Sequence, residues 1–173
     1  MTSRVYAYLR ASTTQQDATR AKGQLDEFAT ANGMTISSYF AENESGASLK
    51  RPELFRLLEI AQKGDVLLVE QVDRLSRLSG EDWNKLRSLI NEKGVRVVAL
   101  DLPTSHQLIQ SGDEFTSRML EALNGMMLDM LAAIARKDYT DRKRRQAQGI
   151  VKAKSDGKYK GRPEDTQRNE RIA

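Results

Sequence analysis

Arg10, Ser12 and Gln16 fall in the stretch YLRASTTQQ, directly after an apolar run; Arg51 precedes a proline in SLKRPEL; Asp73, Arg74 and Arg77 sit together in VDRLSRLS. A lone serine after a strand is most often a helix N-cap. As a nucleophile it would need activation, usually by an adjacent histidine. The one histidine, His106, lies in a separate loop and reads as a surface residue, so no Ser-His-Asp triad is expected. Arginine is the remaining means of activation. Guanidinium groups lower the cost of forming an alkoxide and spread the charge of a pentacoordinate phosphorus. Their planar fork grips phosphate oxygens bidentately and stays charged. This set therefore suits a phosphodiester better than an ester. Asp73 either pairs with an arginine or acts as a general acid or base. Arg74 and Arg77, three positions apart, share a face if their segment is helical.

Metal-assisted cleavage is the rival phosphodiester chemistry, with Asp65, Glu70, Asp73 and Asp101 as its carboxylates. The short carboxylate-X-Lys pattern expected beside Glu70 is replaced by EQVD, so no metal site is expected.

The surrounding pattern alternates strands and helices. Strands are expected at 4–10, 35–41, 65–70 and 95–100, and helices at 16–32, from Pro52 onward and at 80–93. The Asn32-Gly33 pair should end the first helix, and Pro52 suits the first turn of the second. Such an order predicts an α/β fold with a mostly parallel sheet and helices on both faces. Ligands of open sheets of this kind bind beyond the carboxyl ends of the strands. Arg10 would lie at the end of the first strand and Arg74 after the third. Arg51 would be held extended by Pro52. The arginines would then converge on one positive pocket.

The chain has 173 residues and no cysteine, which excludes a disulfide framework, a thiolate nucleophile and cysteine-ligated metal. No apolar run approaches the roughly 20 residues of a membrane span, and MTSRVYAYLR lacks a signal-peptide core. The expected compartment is the cytoplasm. From position 136 onward lie 13 of the 28 Lys/Arg and 6 of the 24 Asp/Glu, a net +7 against −3 for the first 135 residues. A basic arm of this kind fits either a solvated tail or a polyanionic partner. Its candidate phosphate contacts are Arg136, Lys137, Arg142, Lys143, Arg144, Arg145, Lys158, Lys160 and Arg162.

The longest helical pattern runs over 114–148 and is expected to leave the domain. Its first half carries Met119, Leu123, Met126, Met127, Met130 and Ile134. These side chains either pack on the chain's own sheet or, as we expect, on a second copy of the chain. The expected division is a catalytic core at 1–112, a long helix for assembly and DNA contact at 113–148, and a basic linker at 149–173.

YLRASTTQQ, SGASLKRPEL and KGDVLLVEQVDRLSR, followed by a long helix and in that order, resemble the catalytic domain of the serine recombinases, small resolvase/invertase type, over about residues 3–160. The resemblance implies a resolvase-like fold and a site-specific recombinase that cuts and rejoins double-stranded DNA. Ser12 would form a 5′-phosphoserine link, Arg10, Arg51, Arg74 and Arg77 would contact the scissile phosphate, and Gln16 and Asp73 would complete the site. It further implies a homodimer on each crossover site, a homotetramer in the synapse, and no metal or nucleotide cofactor. The setting would be bacterial plasmid, phage or transposon DNA. The rival is a non-catalytic DNA-binding or assembly module with the same fold. Two departures stand out. Where the family often has Glu-Arg midway along the long helix, this chain has Asp138-Tyr139. The sequence also stops after GRPEDTQRNERIA, where small members continue into a helix-turn-helix; the sequence reader is expected to be missing.

Overall fold

The computed structural model describes residues 3–10, 15–42, 49–109 and 113–158, and no side chains at 15–18. Four strands form one parallel sheet: β1 (Val5–Arg10), β2 (Ile36–Glu42), β3 (Val66–Val69) and β4 (Arg96–Ala99), in the spatial order β2-β1-β3-β4. β1 and β3 are central and buried along their whole length. Their uninterrupted apolar sequences, VYAYL and VLLV, suit strands covered on both faces. β2 is an edge strand, and exposure alternates along it, with Ser37, Tyr39 and Ala41 exposed and Phe40 and Glu42 buried.

One sheet face, with Val5, Ala7, Leu9, Val66, Leu68 and Val98, is covered by Ala21, Leu25 and Ala29 of α1 (Gln15–Ala31). The other face carries Tyr6, Tyr8, Leu67, Val69, Val97 and Ala99. It packs against α2 (Pro52–Ile60), α4 (Gly80–Lys93) and, through Leu128 and Ala132, α6 (Glu114–Ser155). Each burial is an alternate-residue choice on a strand and a three-to-four-residue choice on a helix. Chain direction reverses its lateral sense at β1, because β2 lies on one side of it and β3 on the other. The crevice at the carboxyl ends of β1 and β3 is therefore the topological switch point, where open α/β sheets hold ligands.

Gly33 ends α1 as expected, and other local signals set further helix ends. Gly33 and Gly94 take positive φ after α1 and α4, a conformation that favours glycine. The Ser79 hydroxyl accepts from the Asp82 amide at 3.2 Å and caps α4. Short elements were not foreseen: α3 (Asp73–Ser76), α5 (Pro103–His106) and a 3-10 turn (Gln107–Ile109). Each is about a turn long, too short to show a hydrophobic period. The long helix passes its expected end at 148 and reaches Ser155, and Gly157 at φ 66° follows it. Gly149 costs only about 1 kcal/mol relative to Ala in a helix, which does not stop one this long.

The chain divides into two compact units, Met1–Lys137 and Asp138–Ala173. In the first, α6 is anchored by Asn124, whose Nδ2 donates to Val97 O at 3.2 Å, and by Asp129, which accepts from Trp83 Nε1 at 2.9 Å. The second contains the exposed side chains of Arg142, Lys143, Arg144 and Arg145. Among the described residues, no helix is long and apolar enough to cross a membrane.

Asp65 fastens the amino-terminal edge of the sheet. It accepts from the Arg4 amide (3.0 Å), Arg4 Nη2 (3.0 Å) and the Gln62 amide (2.9 Å). Burial alone would raise its pKa, but the Gln62 and Arg4 donors outweigh burial and hold the carboxyl below its ordinary value. Asp65→Asn should lower unfolding free energy by about 2 kcal/mol at neutral pH. The depressed pKa makes this contribution complete above about pH 3.8, the ordinary value, and lost as pH falls through the folded-state value. Urea unfolding of both proteins at pH 7 and in strong acid should show the gap closing in acid.

Candidate active site at the carboxyl ends of β1 and β3

β1 ends on Arg10, which is 8% exposed. Burial lowers its pKa, and repulsion from Arg74, Arg77 and Arg51 lowers it further against the opposing pull of Asp73. The other three arginines named from the sequence thus all lie near enough to repel Arg10. Arg10 Nε is buried and has no hydrogen-bond partner among the described residues. A buried donor in this condition is uncommon and calls for an acceptor.

Arg51 occupies the place just before α2 but is completely buried. Its Nη1 donates to Arg74 O at 3.1 Å and Leu75 O at 2.9 Å. It thus grips the backbone of the turn that carries Arg74. Burial lowers its pKa, while Tyr8 and the Glu42 carboxylate oppose that shift. Tyr8, one strand position pair before Arg10, has its own pKa pushed up to about 12, chiefly by burial. Glu42, beside Arg10 in the β1–β2 register, is buried and accepts from the Glu53 amide at 3.0 Å. A carboxylate at that point suits the exposed amides and positive pole of the α2 N-terminus. Arg51, expected to touch the substrate, thus has Nη1 turned toward the protein's own carbonyls.

After β3 the chain turns through Glu70 into α3. Glu70 Oε2 accepts from Arg74 Nη2 at 3.1 Å and Nε at 3.3 Å, while its Oε1 lies 2.8 Å from Arg20 Nη2. Asp73 pairs with Arg77 one turn on and lies 3.8 Å from Arg74 Nη1. This is the structural-pairing role that the sequence left open for Asp73. Asp101 accepts from the Val72 amide at 3.0 Å, and its pKa is raised by burial, with repulsion from Asp73 and Glu70 adding to the effect. Asp65, the fourth carboxylate considered for a metal, lies before β3 rather than after it. Among the described residues, no cluster of three metal-ligating side chains occurs.

Ser12 lies outside the described residues, as do Lys160 and Arg162; Gln16 is in the first turn of α1, and its side chain is outside the description. His106 is not a plain surface residue: it is half-buried, with Nε2 2.9 Å from Ala99 O and its ring against Phe28. Arg20 and Glu70 were not named as site residues. Arg20 lies one turn past YLRASTTQQ, and only the fold brings it to Glu70. Arg136, named for phosphate contact, is half-buried; a Cβ on Gly80 would come within 3.0 Å of its Nη1. Lys137 and Lys158 are exposed.

Comparison with known proteins places this arrangement. Residues 5–159 match the family model described as Resolvase, N terminal domain. A resolvase of Escherichia coli is 34% identical over 165 residues, covering 95% of this chain and 75% of that protein. The transposon Tn21 resolvase of Escherichia coli is 30% identical over 173 residues, covering 100% of this chain and 82% of that protein. Among solved structures, the N-terminal catalytic domain of TP901-1 integrase aligns with a TM-score of 0.51 and 27% identity, over 73% of this chain and 98% of that one.

The different settings of Arg51 and Arg77 give a direct test. Arg51→Leu would remove the donor shared by two backbone carbonyls and the buried cation that opposes the Glu42 charge, at a cost of about 3–5 kcal/mol. Arg77→Leu removes a partly solvated ion pair, and the expected cost is about 0–1 kcal/mol. Denaturant unfolding should separate the two variants clearly. Equal stabilities would mean that Arg51 does not hold the α3 turn.

Proposed function

The chain belongs to the resolvase family, the serine site-specific recombinases, and from that premise we propose that its Ser12 cuts and rejoins DNA with arginine assistance and without a metal. The observation that carries this reading is the convergence of Arg10, Arg51, Arg74 and Arg77, with Arg10 Nε buried and unpartnered among the described residues. A site built from mutually repelling guanidiniums becomes favourable when a phosphate enters it.

Ser12 follows Arg10 by two residues in the sequence between β1 and α1. Its hydroxyl oxygen attacks the phosphorus, a P–Oγ bond forms, and the P–O3′ bond breaks. The serine proton is lost and the departing 3′ oxygen gains one. DNA is then joined to the protein through a 5′-phosphoserine. The reverse step, with a 3′ hydroxyl from another strand, restores a phosphodiester without an external energy source. Arg10, Arg74 and Arg77 supply the charge that the pentacoordinate phosphorus needs. Arg51 acts by holding the turn, and Gln16 and Asp73 complete the surroundings.

The exposed Arg142, Lys143, Arg144 and Arg145 in the second unit, with Lys137 and Lys158, supply sequence-independent phosphate contacts. Such a substrate fits the bacterial cytoplasm. Assembly is read from α6. Phe115, Met119, Leu123, Met126, Met130 and Ile134 recur every three or four residues and are all exposed. Met127 is the exception among the methionines named for assembly, since it packs against the chain's own core. An apolar stripe of this length suits a second copy of the chain, first as a dimer and then in a tetrameric synapse.

Two experiments test these readings. Supercoiled DNA bearing a candidate crossover site is incubated with the protein in EDTA, quenched in denaturant and assayed for protein-linked 5′ ends. Wild type should form the adduct; Ser12→Ala should reduce it at least about a thousandfold while still binding DNA. DNA binding without any adduct from wild type would identify a non-catalytic module. Separately, Met126→Glu/Met130→Glu should shift sedimentation toward monomer with the melting temperature nearly unchanged. A wild-type chain that is monomeric at every concentration would remove the stripe as an assembly surface.

A further inference from the structure

We propose that Glu70 is a positioning residue that ties the helix following the nucleophile's loop to the arginine turn, through an Arg20–Glu70–Arg74 relay. The inference rests on the reading of Arg74 as a phosphate contact.

The relay is built from one carboxylate with its two oxygens divided. Glu70 is 9% exposed, so neither oxygen can rely on bulk water. Oε2 takes the Nε and Nη2 edge of Arg74, at 3.3 and 3.1 Å, and Oε1 takes Arg20 Nη2 at 2.8 Å. Two donors from one guanidinium on one oxygen fix the plane of the group as well as its distance. Nη1 of Arg74 is left pointing toward Asp73, 3.8 Å away and beyond hydrogen-bond range. The amine with hydrogens to give is thus on the side of the guanidinium away from Glu70.

Arg20 contributes charge and connection. Two cations share the single negative charge of Glu70, so the relay keeps a net charge of +1 for an anionic substrate. Without Arg20, Glu70 would cancel Arg74. Arg20 is also braced within its helix by Nη1 donating to Gln24 Oε1 at 2.8 Å. Among the described residues, Arg20–Glu70 is the one ion pair that joins α1 to the segment after β3. α1 begins at Gln15, three positions after Ser12. The relay therefore fixes the spacing between the two halves of the site: the helix that follows the nucleophile's loop and the guanidinium that meets the phosphate. Errors of about 1 Å in such spacing cost up to roughly a hundredfold in rate.

The test is a double-variant cycle on the single-turnover rate of adduct formation, with wild type, Glu70→Gln, Arg20→Met and the pair. DNA affinity is measured in the Ser12→Ala background, and melting in parallel. Glu70→Gln should slow adduct formation by about 10- to 100-fold at saturating DNA, with affinity changed less than about twofold. Arg20→Met should slow it by a smaller factor, and the pair should be no slower than Glu70→Gln alone. A wild-type rate in Glu70→Gln, or rate losses that simply multiply in the pair, would overturn the relay. A purely structural role would lower melting and leave the rate of the folded fraction unchanged. If Glu70→Gln does not fold, the decision passes to Arg20→Met, since Arg20 is half-exposed. It must then slow the chemistry without weakening DNA binding, and an unchanged rate sinks the proposal. Arg74→Gly is run beside these: a wild-type rate there would refute the reading of Arg74 itself, separately from the relay.

Discussion

Like charge crowded into a small, half-dry space is the constraint on which the rest of the site depends. Arg10 is nearly buried and is repelled by Arg74, Arg77 and Arg51. Each cation but one has an assigned carboxylate: Glu42 opposes the shift of Arg51, Glu70 holds Arg74 and Asp73 holds Arg77. Every carboxylate also stands at a place the fold dictates. Glu42 ends the edge strand and satisfies an amide at the start of α2. Glu70 directly follows β3, and Asp73 opens α3. The arrangement tolerates its cations because the sheet's carboxyl edge offers acceptors in the same register. Among the described residues Arg10 forms no ion pair with a carboxylate, and it lies where the lateral sense of the sheet reverses.

The order of strands and helices could be read from the sequence because each long element buries a periodic face. Continuous apolar runs gave β1 and β3, and Pro52 and Gly33 punctuated the helices. The short elements α3 and α5 and the 3-10 turn carry no full period and were read as loops. Within the site, residue types and spacing identified the arginines but not their division of labour. That Arg51 spends Nη1 on the carbonyls of Arg74 and Leu75 depends on contacts across more than twenty residues. The same holds for Arg20 and Glu70, fifty positions apart. His106 looked polar and peripheral; a carbonyl at the end of β4 and the ring of Phe28 make it part of the packing.

α6 combines two apolar surfaces on one helix. Asn124, Gly125, Leu128 and Ala132 are buried against the sheet side of the first unit, while Met119, Leu123, Met126, Met130 and Ile134 are exposed. Counting hydrophobic residues alone could not divide these sets, because both recur every three to four positions. The polar anchors divide them. Asn124 reaches Val97 O and Asp129 reaches Trp83, so the face between them must look inward. Gly125 is part of this contact, since a Cβ there would collide with the Arg87 guanidinium. Once that face is fixed, the methionines a third of a turn or more away are left outside, apart from Met127, which joins the core.

The carboxylate partners bear on how such a site can meet a phosphate without rearranging. A guanidinium waiting in water must shed solvent and freeze several torsions at the moment of reaction, whereas one already held by protein acceptors has met that cost on folding. The three held arginines differ in what they can still offer. Arg51 has Nη1 committed to two carbonyls and is fully buried, so that nitrogen serves the turn that carries Arg74. Arg77 is paired with Asp73 in a partly solvated ion pair, weak enough for an incoming phosphodiester to exchange for the carboxylate. Arg74 lies between these cases: one edge is fixed by Glu70, and Nη1 is outside hydrogen-bond range of Asp73. On the reading of this pocket as a phosphate site, Arg10 and Arg74 are thus the groups that can bind without first breaking a short hydrogen bond. They stand on β1 and just after β3, the two strands that flank the switch point. On the same reading, the two central strands place the chemistry, and the surrounding carboxylates determine which cations remain available to it.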